Sequence, residues 1–131
     1  MKYIIFILAH SVLFGQNISH KKLLQRASIN SESCDSLIRY FNNQNTSIEK
    51  GYLGAGLMIK AKHEKKLHAK WQYFKRGKAK LEDAIKTEPN SIELRKIRNH
   101  IQNNIPRFLN YNNRKEDEFF IKKNNNTEKK R

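Results

Sequence analysis

Apolar residues recur along this chain in short bursts at steps of three and four, and asparagine-rich breaks separate the bursts. Such spacing marks amphipathic helices, because one helical turn takes 3.6 residues. Ile18, Leu23, Leu24 and Ala27 predict either a short amphipathic helix over 17–29 or a frayed start. Asn30 and Ser31 break it. Ser31 can cap a second helix, with Glu32 and Asp35 at the positive end of its dipole. Cys34, Leu37, Ile38 and Phe41 share one face of that helix, and the run Asn42, Asn43, Gln44, Asn45 ends it. Thr46 and Glu49 have capping-box spacing and open a third helix. It carries Tyr52, Leu53, Ala55, Leu57, Ile59 and Ala61 together with Gly51, Gly54 and Gly56. Each glycine inside a helix costs about 1 kcal/mol relative to Ala. Either a neighbour approaches closely enough to repay that cost, or Gly51 is a turn residue and the helix begins at Tyr52.

The stretch 62–70 is basic and holds little apolar surface beyond Leu67, so it reads as an exposed turn. Trp71, Phe74, Gly77 or Lys78, Leu81, and Ala84 or Ile85 then form one stripe of a helix over 69–87. Pro89 stops it, since the residue before a proline is pushed out of helical geometry. Asn90 as cap, with Glu93 three residues on, starts a fifth helix whose inner face is Leu94, Ile97 and Ile101. After Pro106, Phe108, Leu109 and Tyr111 form a compact apolar knot folded onto the core. A last short helix is expected over 114–122, and the polar tail 123–131 is expected to be disordered. The fold class that follows is all-α, a small antiparallel helix bundle. A helical domain at 17–122 lies between an N-terminal segment, 1–16, and the basic tail.

That N-terminal segment has a different character. Lys2 is followed by an almost unbroken apolar run from Tyr3 to Phe14, then Gly15. A short positive start, an apolar run and a small residue describe a secretory signal peptide. The run is shorter than the roughly 20 residues of a membrane span, and the alternative to a cleaved signal is an uncleaved N-terminal anchor. The expected localisation is therefore exported, periplasmic or secreted.

Composition sharpens this picture. The chain has 131 residues, with 27 Lys and Arg against 12 Asp and Glu, a net charge of +15. This length suits one small domain. The charge attracts polyanions and opposes self-association. Basic and aromatic residues interleave at 70–76, which suits phosphates with stacking. Lys62, Lys65, Lys66, Lys70, Lys75, Arg76, Lys78 and Lys80 are the candidate polyanion contacts, and solvated helix faces are the plainer account of the same residues. An anionic envelope lipid or acidic glycan fits an exported chain better than nucleic acid, for which no motif is present.

Reactive chemistry is not indicated. The single cysteine, Cys34, lies beside Asp35, and a neighbouring carboxylate disfavours a thiolate. His63 and His68 stand five residues apart, which turns them onto different helix faces, whereas the zinc-protease motif needs four. No nucleophile and base pair, metal site or cofactor site can be nominated, so no enzyme is expected.

Gly77, Leu81, Ala84 and Pro89 have the offsets of the second helix and exit turn of a tetratricopeptide repeat. The first helix of such a repeat, which would place its key positions at Ala61, Glu64, Lys65 and His68, does not match. The wider segment 51–121 resembles a family of small secreted bacterial all-helical proteins without assigned activity. It does so through Tyr52, Leu53, Gly54 and Ala55; through Tyr73, Phe74, Lys75, Arg76 and Gly77; and through Pro106, Arg107, Phe108, Leu109, Asn110 and Tyr111. The resemblance implies helix pairs stacked around small residues and no catalytic residue. The leading expectation is a non-catalytic protein-protein interaction module, whose partner is another protein or a second copy. Tyr52, Trp71, Tyr73 and Phe74 are its candidate contacts. The alternative is the basic polyanion-binding protein described above.

Overall fold

A computed structural model describes residues 19–130, so the expected signal at 1–16 lies outside the described residues. Within them the chain is all-helical. The helices are α1 (His20–Ile29), α2 (Ser31–Asn42), α3 (Ser47–His63), α4 (Leu67–Thr87), α5 (Ile92–Asn103) and α6 (Arg114–Lys129), with a 3-10 turn at Arg107–Leu109. Short turns join α1 through α5, so successive helices run up and down. One pole of the bundle collects the ends of α1, α3 and α5. The other collects the ends of α2 and α4.

α3 is the axis of this arrangement. Every residue from Gly51 to Ile59 is buried, because α1, α2, α4 and α5 all pack against it. A helix apolar on every side has to lie inside the protein. Its start is secured by the expected capping box: Thr46 Oγ1 accepts from the Glu49 amide at 3.2 Å, and the Thr46 amide donates back to Glu49 Oε2 at 3.3 Å. The helix therefore begins at Ser47, and Gly51 is not a turn residue.

The glycines have the expected use. A methyl carbon at position 54 would stand 2.6 Å from the Gly77 carbonyl oxygen, and one at position 77 would stand 2.5 Å from that of Gly54. Backbone meets backbone where α3 crosses α4, so neither side can yield. Leu37, Phe41, Leu57, Leu81, Leu94 and Ile97, all buried, belong to the same core. At the far pole His20, Phe41 and Tyr52 form an aromatic cluster. The Phe41 and Tyr52 rings are stacked at 5.4 Å, and the Tyr52 hydroxyl donates to Glu93 Oε1 at 2.7 Å.

Several expectations need correction. Helix α2 is capped by Asn30 and not Ser31, and α5 by Ser91 and not Asn90. The turn between α3 and α4 shrinks from 62–70 to 64–66, since Lys62 continues α3 and Leu67 already begins α4. This turn falls inside 61–68, where the first helix of a tetratricopeptide repeat would lie. The tail from Lys123 is helical through Lys129. A helix started on a packed first half propagates at little cost, and Asn124 donates to the Phe120 carbonyl at 2.8 Å. Phe108 is not folded onto the core: it is 85% exposed, while Leu109 is half-buried and Tyr111 buried.

Candidate functional site

Proline at position 106 ends the extension of α5 and turns the chain across the pole where α3 passes into α4. Two clefts form there. One, of about 350 Å³, lies between the start of α4 and the 3-10 turn, with Met58, Phe74, Ile105 and Leu109 among its walls. The other, of about 500 Å³, lies between the ends of α1, α3 and α5, with Ile29 at its edge. They share the wall residues Met58, Lys62, Asn104 and Ile105, so the two clefts adjoin and together make up the groove.

The lining has an unusual composition. Ile29, Leu67 and Phe108 are 84%, 82% and 85% exposed, and Trp71 is 50% exposed. These are four of the six large apolar side chains exposed among the described residues, and all four edge this one groove. Isolated apolar residues on a surface are ordinary, but a contiguous set marks an interaction site. No carboxylate lines either cleft, whereas Lys62, Lys70 and His100 do. Helix α4 opens at the same place without a side-chain cap and without an acidic residue in its first turn, and Glu64 in the preceding turn is paired with Lys60 at 3.8 Å.

The structure divides the expected contact residues. Trp71 edges the groove, and Phe74, buried beneath it with ring centroids 6.1 Å apart, supplies part of its wall. Tyr73 is two residues from Trp71, about 200° around the helix. It faces the α2 side, where Lys60 and Arg76 stand 5.3 and 5.7 Å from its ring centroid. Tyr52 is buried in the far aromatic cluster and reaches no surface.

The eight expected polyanion contacts do not form one patch either. Lys62 and Lys70 line the groove, and Lys65 and Lys66 sit on the adjoining turn. Lys75 stands 5.9 Å from the Trp71 ring and Lys78 4.9 Å from that of Tyr111. Arg76 and Lys80 turn to the Tyr73 flank. Ile29, Met58, Ile105 and Phe108 belong to the groove although none of them was among the candidate contacts. Their signal was weak: Ile29, Ile105 and Phe108 stand at a helix end or beside a break, where polar residues are usual, and Met58 lies in the apolar run of α3, where periodicity assigns no face.

A second constellation, wholly missed in the sequence, joins α4, α5 and α6. Arg98, 3% exposed, donates to the fully buried Asp117 through Nε at 2.8 Å and Nη2 at 2.6 Å. Its Nη1 reaches both oxygens of Glu82 at 3.0 and 3.1 Å, and the Tyr111 hydroxyl donates to Glu82 at 2.5 Å. Arg95 adds bonds to Glu116 and Asp117. Burial alone would lower the pKa of Arg98, but Asp117 and Glu82 outweigh it and hold the guanidinium more firmly protonated than usual. Bonding to Arg95 and then Asn113 pulls the Glu116 carboxyl below its ordinary value. Every charge here has a partner, so the cluster is a clasp for α6.

Cys34 is buried, with its thiol 3.4 Å from the Gly56 carbonyl. Burial first, then the charge of Asp35, push it up to about 11, against a smaller opposing effect of Lys60. Among the described residues no three His, Cys, Asp or Glu side chains are grouped to hold a metal ion, and no helix is long and apolar enough to cross a membrane. The chain matches no known family, no curated protein and no solved structure.

Proposed function

We propose that this protein is an exported, non-catalytic binding module that takes an apolar segment of another protein into the groove beside Trp71. The gathering of Ile29, Leu67, Trp71 and Phe108 along one carboxylate-free groove carries this reading. Exposed apolar side chains weaken solubility unless something covers them, and aromatic anchors beside pockets dominate protein interfaces. The half-repeat Gly77, Leu81, Ala84 and Pro89 agrees with it, since helix pairs of that kind serve as binding scaffolds. So does the apolar run 3–14, read as an export signal.

A photoreactive phenylalanine analogue placed at position 108, and separately at position 73, tests the reading in cells that make the protein. Position 108 is expected to crosslink one discrete protein, and position 73, on the other flank, none. Equal products from both positions, or none from either, would remove the groove from consideration.

A further inference from the structure

We infer that the partner segment is an amphipathic helix with acidic residues flanking its apolar stripe. This rests on the groove reading above and commits it to one chemistry.

Shape is the first argument. Met58 and Phe74 lie buried at the base of the cleft, while Leu67 and Phe108 stand out on its edge. A flat bilayer face could receive the edge residues but could not reach the base. Side chains projecting from a helix at steps of three and four do reach into such a trough, which is how helix-in-groove recognition works. The two adjoining clefts offer separate seats for successive anchors.

Charge is the second. Lys62 and Lys70 line the trough and no carboxylate does, while on the adjoining turn Lys65 and Lys66 stand beside Glu64, which is paired with Lys60 at 3.8 Å. A second copy of this chain would bring the same lysines against themselves, within a molecule of net charge +15. Like-charge juxtaposition across an interface is strongly unfavourable. An acidic flank on the incoming helix meets these lysines, and also the uncapped first turn of α4.

Trp71 is the chain's only tryptophan and edges the groove, so its emission reports occupancy directly. Three probes are titrated into the full chain. The first is a helical peptide with Leu at every third or fourth position and Glu on the flanks. The second is the same peptide with Lys for Glu, and the third is anionic phospholipid vesicles. The expected result is a saturable blue shift with the Glu peptide, binding about tenfold tighter than the Lys peptide. The doubly substituted Lys62→Glu, Lys70→Glu chain, changed only on exposed or half-buried side chains, should reverse that order. Equal affinity for both peptides would overturn the acidic assignment and leave the groove standing. A shift with vesicles alone would overturn both and assign the site to a lipid surface, and no shift with any probe would overturn both outright.

Discussion

At position 54 two physical effects pull in opposite directions. Helix propensity favours Ala over Gly by about 1 kcal/mol, but the methyl group would meet the carbonyl of Gly77 and the amide of Leu81 on the neighbouring helix. Overpacking against backbone costs about 1–3 kcal/mol, so Gly54→Ala should lower stability in urea denaturation. A gain would mean that the helices can separate freely. Cys34 makes a sharper case. With its thiol raised to about 11 and the side chain buried, a thiol reagent at about pH 8 should leave it unmodified until denaturant is added. Tyr52 and Tyr111 govern alkaline behaviour. Each is raised above 10.0 first by burial and then by the carboxylate it bonds, Glu93 and Glu82 respectively. A folded value above the unfolded one means the neutral phenol stabilises the fold below pH 10.0, and that this contribution is lost as the pH rises beyond it. Tm should therefore fall steeply above that pH, and less steeply in the Tyr111→Phe chain.

Among the elements, α6 is held differently from the rest. Its only buried residue is Asp117, so charge and hydrogen bonds dock it where apolar area docks the others. Asp117→Asn keeps the shape but weakens the hold of Arg95 and Arg98. Charged hydrogen bonds contribute about 1.5–3 kcal/mol, so amide exchange across 114–129 should quicken by roughly ten- to a hundredfold. Exchange within α3 should be unchanged. The elements themselves were largely legible: the stripes of α2, α4 and α5 and the Thr46 capping box stand in the sequence at fixed local offsets. Boundaries slipped where two polar residues competed for a cap, as Asn30 did with Ser31. The clasp was not legible because Glu82, Arg98 and Asp117 are far apart along the chain, and a charged residue destined for burial looks like any solvated one. The groove was half legible. Trp71 and Phe74 were named, but periodicity cannot tell which edge of a stripe is left uncovered when a later segment such as 104–109 lies across it.

Taken whole, the molecule is polar in the geometric sense. Its apolar openings gather where α3 hands over to α4, and its aromatic cluster of His20, Phe41 and Tyr52 seals the opposite pole. Dispersed lysines keep the flanks hydrated, so the groove is set apart by what it lacks, carboxylates, more than by any excess of positive charge. The path of α6 adds a directional consequence. Bonds from Gln102 to Asn113, and from Arg95 to Glu116 with Phe120 beyond, mean that α6 travels back down α5. The last described turn thus departs from the groove, and α1 starts at His20 beside the sealed pole. With α3 about 25 Å long at 1.5 Å per residue, both described ends leave the protein nearly a full bundle length from Trp71. A tether attached at His20 or at Lys129 would hold the mouth of the groove outward.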